Sequence, residues 1–154
     1  MVDPELAQLN IARIRAPLES DSMRGFVDNL DRINALAESS PGFVWRLQTE
    51  EGDATALRPF DDDDLLVNLS VWRDVESLRS FVFHTVHSDF LQRRREWFQR
   101  MEEAYTVLWW VAPGELPTID DAIRRLGLLR ERGPSAQAFT FREPFPAPSG
   151  EIDQ

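Results

Sequence analysis

Apolar side chains follow two periods along this chain, one of two residues and one of three to four, and the two alternate in a definite order. From Leu6 to Ile14, Leu9 and Ile11 fall on one parity and Asn10, Ala12 and Ile14 on the other, which predicts a strand buried on both faces. Ser20-Asp21-Ser22 offers N-caps, and Met23, Phe26, Val27, Leu30, Ile33, Leu36 and Ala37 then recur at helical spacing, an amphipathic helix of about five turns that ends at Ser39-Ser40-Pro41-Gly42. Phe43 to Leu47 alternates again as a second strand. After an acidic excursion from Glu50 to Asp64, Leu65 to Trp72 reads as a third strand, and the helical pattern opened by Arg73-Asp74 runs to about Met101. Tyr105 to Val111, β-branched and aromatic, is a fourth strand closed by Ala112-Pro113-Gly114. Pro117-Thr118 caps a helix from Ile119 to Arg132, stopped at Gly133-Pro134, and Ala138 to Phe141 makes a short closing strand.

The order β-α-β-β-α-β, with a helix and a short strand appended, is that of the split βαβ unit. It predicts an α+β, ferredoxin-like antiparallel sheet with helices on one face. Residues 1–146 form one domain on this reading, and 147–154, in a stretch rich in Pro, Ser and Gly without periodicity, a loose C-terminal tail. One face of such a sheet is left bare; the appended elements can cover part of it, but a second copy of the sheet is the simpler cover, so an isologous homodimer is expected.

Composition narrows the partners. The 154 residues carry a net charge of -10, which opposes phosphate fields and argues against nucleic acid, with Arg93-Arg94-Arg95 the one dense basic patch. All 17 basic residues are Arg, and with no Cys the chain has neither disulfides nor thiolate nucleophiles nor Cys-ligated metals. The first residues have no basic and apolar leader, and no apolar run approaches the ~20 residues of a membrane span, so a cytoplasmic protein with no membrane partner is expected.

Candidate chemistry concentrates in a few places. His84 and His87 are the two histidines, three residues apart in the second helical stretch. They lack the third ligand that zinc or non-heme iron sites want, so no metal site is assigned; a single imidazole serves as a general base or a hydrogen-bond anchor in a pocket, or else lies at the surface or satisfied in an interface. On a continuous helix His87 lies two turns from Arg94, and an imidazole beside Arg94 or Arg95, walled by Trp97 and Phe98, suits an acidic phenol or enol whose oxyanion the guanidinium holds. The alternative is that these arginines pair with Glu96, Glu102 and Glu103 on a solvated face. That register also predicts His87, Leu91 and Phe98 buried together, with Asp89, Gln92 and Glu96 wetter. Five tryptophans, Trp45 and Trp72 among them, exceed what a small core requires and suit a flat ligand or an interface. Asn10 and Asn68 are polar groups inside apolar strands, so each needs a partner, whether ligand or neighbouring side chain. The run Asp61 to Asp64 lacks the spacing, Gly and terminal Glu of a calcium loop, and GxxxxGK[ST], GxGxxG, GxSxG and HExxH are all absent.

Several stretches together carry a family resemblance: Leu9-Asn10-Ile11-Ala12, Ser40 to Arg46, Asn68 to Trp72, His87 with Arg95-Glu96-Trp97-Phe98, Leu108-Trp109-Trp110, and Ala138 to Phe141. They resemble the DUF3291 family, of unassigned function, which is similar in turn to the dimeric α/β-barrel superfamily of antibiotic-biosynthesis monooxygenases, heme-degrading monooxygenases and small stress proteins. The strand ending in Trp72, followed by a helix with His84 and His87, is similar to the monooxygenase pattern. The resemblance implies a homodimer with a pocket in each protomer between helices and sheet. The leading expectation is a small-molecule enzyme for an aromatic or polyketide-like substrate. It works without a cofactor as a monooxygenase, with His87 as base, Arg94 or Arg95 holding the anion, and Asn10, Trp45, Asn68, Trp72, His84, Trp97 and Phe98 lining the site. Two alternatives stand beside it: a heme-binding or heme-degrading protein with His84 or His87 on iron and Asn10 and Trp72 shaping the distal side, and a non-catalytic dimeric module binding a small hydrophobic or aromatic ligand.

Overall fold

The computed structural model describes residues 3–48, 64–86, 94–101 and 103–148, with the backbone alone at 83–86, 94 and 95. Its elements are β1 (Glu5–Arg13), α1 (Arg24–Ser39), β2 (Phe43–Arg46), β3 (Leu65–Trp72), α2 (Val75–Val86), α3 (Arg94–Trp97), β4 (Thr106–Val111) and α4 (Ile119–Arg132). The strands form one sheet in the order β2-β3-β1-β4 with every neighbour antiparallel, the ferredoxin-like arrangement of a split βαβ unit. No described helix is long and apolar enough to cross a membrane.

Side chains alternate across the two faces of this sheet, and the register aligns the parities of β1, β3 and β4. Leu6 lies opposite Trp72 and Trp110, Gln8 opposite Ser70 and Leu108, and Asn10 opposite Asn68 and Thr106. On that even face, Phe26 of α1 joins Ile14, Leu66, Trp97 and Phe98 in one apolar cluster, while Ala37 of α1 and Leu78 of α2 join Leu6, Trp72, Leu108 and Phe139 in another. The odd face carries Ala7, Leu9, Ile11, Val67, Leu69, Val71, Val107 and Trp109, all packed with Ala122, Leu126 and Leu129 of α4. The interior strand β1 is therefore buried on both sides, as its sequence implies.

This packing revises one premise of the sequence reading. The two helices inside the βαβ unit share a face, but α4 occupies the opposite one, which pattern alone had left bare for a second copy. Its start is set by Thr118, whose Oγ1 accepts from the Asp121 amide at 3.2 Å, and its end by Gly133 at φ 78°. Burial pushes the Asp121 carboxyl up, but hydrogen bonds and charge from Arg125 and Arg124 prevail and hold it below the ordinary Asp value. Arg125 also donates to the Gln137 carbonyl at 2.8 Å and lies over the Trp109 ring, 5.4 Å from its centroid, so α4, the following turn and the sheet are tied together.

Other boundaries differ from the pattern for backbone reasons. Ser20-Asp21-Ser22 supplies no side-chain cap, and a short 3-10 turn over Asp21–Met23 leads into α1 instead. The helix expected to reach Met101 has ended by Trp97. Residues 97–99 leave it to satisfy the edge of β1 beyond the last β4 pair: Arg15 N donates to Trp97 O and Gln99 N to Arg13 O, each at 2.8 Å. The expected closing strand is a single bridge, in which Phe139 and Leu108 exchange both backbone hydrogen bonds at 2.8 and 2.9 Å. Beyond it the chain drapes back over the even face, where the Phe145 ring lies tilted 5.8 Å from that of Phe139 and its carbonyl accepts from Trp110 Nε1 at 3.0 Å. Of the expected loose tail, Ala147 and Pro148 are described and the remainder lies outside the described residues.

The turn between α1 and β2 depends on Gly42, which sits at φ 85° with its carbonyl accepting from Arg73 N at 2.7 Å. A Cβ there would collide with the side chain of Ser77 in the first turn of α2. Gly42→Ala is therefore expected to destabilise the protein by more than ~1 kcal/mol, read as a lowered midpoint in urea unfolding.

Asp74, immediately before α2, accepts at Oδ1 from the Ser77 amide at 2.8 Å and the Ser77 hydroxyl at 2.7 Å. The Ser77 hydroxyl hydrogen bond, aided by the Ser77 amide and Arg73, outweighs partial burial and holds the Asp74 carboxyl below its ordinary value. A lowered folded-state value means stability present above the unfolded pKa of about 3.9 and lost as pH falls through the folded value. Asp74→Ala is expected to cost about 1 kcal/mol at neutral pH, with its melting temperature converging on that of the parent below about pH 4.

Candidate functional site

Between the two apolar clusters of the even face runs a band of neutral polar side chains, contributed by alternate positions of three strands. Asn10 and Asn68 stand directly opposite each other on β1 and β3, and Gln8 and Ser70 form the neighbouring pair. Gln8 is 6% exposed and Ser70 5%, so their polar atoms need partners, and they find them within the band. Gln8 Nε2 donates to Asn68 Oδ1 at 2.5 Å and to Ser70 Oγ at 2.8 Å. Ser70 Oγ also accepts from Trp72 Nε1 at 2.9 Å, and on the β4 side Asn10 Nδ2 donates to Thr106 Oγ1 at 2.8 Å.

Asn68 breaks the burial of β3: every other residue of the strand is buried, whereas Asn68 is exposed and Asn10 half-buried. A carboxamide pair is thus left accessible in the middle of an apolar face, with Asn68 held by groups that are themselves sealed and Asn10 by the half-buried Thr106. The walls are aromatic. Trp72 is held edge-on by Phe43 at 5.4 Å and stacked on Phe81 of α2 at 5.2 Å, while Phe26 meets Phe98 at 5.1 Å and Trp97 at 5.9 Å. At the rim, Arg46 pairs with Glu38 of α1 at 3.3 Å.

The structure brings together Asn10, Asn68 and Trp72 on one face, with Trp97 and Phe98 in the adjacent cluster of that face. It does not bring Trp45 to them. Trp45 pairs with Val71 and packs with the odd-face cluster, because β2 is irregular between Phe43 and Trp45. Trp72 is 1% exposed, so it serves as a sealed wall and a hydrogen-bond donor to Ser70, not as an open lining. His84 lies in α2, three residues past Phe81, and Arg94 and Arg95 open α3, with only their backbones described; His87 lies outside the described residues, as do Asp89, Leu91 and Gln92. Of the burial pattern expected around His87, Phe98 is buried and Glu96 exposed as anticipated.

Gln8, Ser70 and Thr106 were not singled out in the sequence. The signal available was two polar pairs at period two, Gln8 with Asn10 and Asn68 with Ser70, which an antiparallel register superposes. A depression of about 310 Å³ lined by Leu128, Arg132, Ser135, Ala136 and Gln137 lies beyond the C-terminal turn of α4 and touches none of these residues. Among the described residues no group of three His, Asp or Glu is placed to hold a metal ion.

Solved structures similar to this chain include SnoaB, a cofactor-independent oxygenase from Streptomyces nogalater, at 24% identity over 75% of this chain and 99% of that one, with a TM-score of 0.46. Another is a protein from Chloroflexus aurantiacus proposed to be an antibiotic biosynthesis monooxygenase, at 16% identity over 72% of this chain and 96% of that one, with a TM-score of 0.47. No curated protein matches the chain. The model of the domain of unknown function DUF3291 matches residues 5–154, nearly the whole length, and the chain belongs to that family.

Proposed function

We propose that this protein is a small-molecule enzyme whose ligand lies on the helix side of the sheet, over Asn10 and Asn68. The observation that carries the reading is the exposed Asn68 inside an otherwise buried strand, with its amide tied to a sealed network of Gln8, Ser70 and Trp72. Interior strands bury an amide or omit it, because a carboxamide left wet amid apolar neighbours contributes nothing to the core. Two adjacent amides flanked by aromatic walls suit a flat ligand with oxygen substituents, the aromatic or polyketide-like class.

In the reaction we favour, the substrate is a phenol or enol. A base removes its proton, the resulting anion passes an electron to dioxygen, and the two radicals combine into a peroxide that takes the proton back and, losing water with the second hydrogen of the reacting carbon, leaves a carbonyl, so no residue has to carry the redox chemistry. His87 is the proposed base and Arg94 or Arg95 the anion holder, with the amide band orienting the ring. SnoaB, described as a cofactor-independent oxygenase, is in keeping with this chemistry, although it shares only 24% identity. Heme as a cofactor would require His84 or His87 on iron, and the distal role considered for Trp72 conflicts with its burial between Phe43 and Phe81. A Soret band on heme titration would overturn the cofactor-free reading.

Asn68→Ala is expected to leave the fold intact, since the residue is exposed, and to lower oxygen uptake with a polyphenolic substrate tenfold or more. His87→Ala should lower it by a similar ~tenfold or more, with substrate affinity less affected. Unchanged uptake in both variants would remove the basis for the oxygenase.

The homodimer also belongs to the proposal. With α4 on the odd face, two copies must either use another surface or exchange α4 between them. Light scattering at micromolar concentration is expected to give twice the chain mass of 17.8 kDa, and a monomer mass would count against the dimer.

A further inference from the structure

We infer that Gln8 is a positioning residue that fixes the sense of the Asn68 amide, so that the site offers a hydrogen-bond donor there and selects ligands by an acceptor oxygen, a carbonyl or an oxyanion. This rests on the reading of the even face as the ligand site and adds its polarity.

The argument is one of donor and acceptor bookkeeping along the buried chain. One atom of the Gln8 amide meets three oxygens: Ser70 Oγ at 2.8 Å, Asn68 Oδ1 at 2.5 Å and the Asn68 backbone carbonyl at 3.4 Å. The backbone carbonyl accepts only, and an oxygen in that position on Gln8 would face it unfavourably, so the Gln8 atom is the nitrogen. Ser70 Oγ is at the same time the acceptor for the indole of Trp72, which can only donate. A donating Gln8 requires the Asn68 atom that it meets to be the oxygen. The Asn68 Nδ2 then lies on the other branch of the amide, in an exposed residue with no hydrogen bond from that nitrogen to any described group. Asn10 is not constrained in this way, because its partner is the hydroxyl of Thr106, which can donate or accept as it rotates. The band therefore presents one committed donor beside one adaptable amide.

The chain's composition permits a simple probe pair. With no Cys and no Lys, it has no thiol or side-chain amine to add to a quinone. 1,4-Naphthoquinone offers acceptor oxygens only, whereas 1-naphthol has a hydroxyl that both donates and accepts on a ring of the same size. Calorimetric titration of the full-length protein with each probe gives a ratio of affinities, and the ratio, not either affinity, reports the sense of the amide. Asn68→Asp keeps the acceptor for Gln8 and turns an oxygen outward. It is expected to weaken the quinone about three- to tenfold, the worth of one hydrogen bond, and to change the naphthol by less than about twofold. Gln8→Met, which fills similar volume without a donor, should move the ratio in the same direction although it touches no ligand. If Gln8→Met fails to fold, Ser70→Ala, which removes one acceptor that holds Gln8 in this sense, carries the same test. A ratio moved by Asn68→Asp but not by the Gln8 or Ser70 variant overturns the positioning role. A ratio moved by neither overturns the donor assignment while leaving the site in place. A wild-type protein that binds neither probe overturns the site and the inference together.

Discussion

The pairing of β1 with β3 decides what the even face can do. Asn10 meets Asn68 and Gln8 meets Ser70 only in the observed register. A slip of one residue would send the two polar side chains of the slipped strand to the odd face, into contact with α4, and bring that strand's odd-face apolar side chains over to the helix side. That slip is opposed by the packing of the apolar residues and by the partners the amides would lose. Leu6, Leu9 and Ile11 are at most 1% exposed, and each would lose the neighbours it is packed among if the strand moved to the other face.

The polar band has a cost that its internal bonds offset. An amide or hydroxyl buried without a partner costs about 1–3 kcal/mol, and Gln8, Ser70 and the Trp72 indole would each incur it alone. Joined, the three satisfy one another, and the donor capacity that remains lies at the exposed Asn68. A face made wholly of Leu and Val would hold the helices more firmly. Polar groups retained here at the expense of packing are what the proposed ligand site would require.

Much of this was legible along the chain and some was not, for reasons that differ by element. The strands over Leu65–Trp72 and Thr106–Val111 and the helix over Ile119–Arg132 follow from period, caps and stops, and the pattern places them to within a residue. Asn10 and Asn68 announced themselves as polar positions in apolar strands. Gln8 and Ser70 did not, because their importance comes from standing opposite each other across 62 residues of sequence. Trp45 reads as a lining residue of the same site as Trp72 until the irregularity in β2 puts it on the other face. Likewise, nothing local ends the second helical stretch at Trp97; the unpaired edge of β1 does so, by taking the backbone of residues 97–99. The cover that α4 gives to the odd face is equally non-local, since an amphipathic stripe states that a face will be buried but not against what.

The composition of the band also divides the labour of any reaction on this face. Its members are amides, hydroxyls and an indole, groups that orient and stabilise but do not exchange a proton with a substrate near pH 7. The side chains suited to that task are the chain's two histidines, and both fall at positions 84 and 87, at the C-terminal end of α2 and just beyond it. Leu78 of that helix packs on the even face, and Phe81 stacks on Trp72. The sheet therefore supplies a neutral floor, and under the proposal the titrating chemistry comes from the segment after Phe81. Because Trp72 donates to Ser70 and stacks on Phe81, a single indole couples the floor to the element that carries the imidazoles. A change in the packing of α2 would reach the amides through that ring.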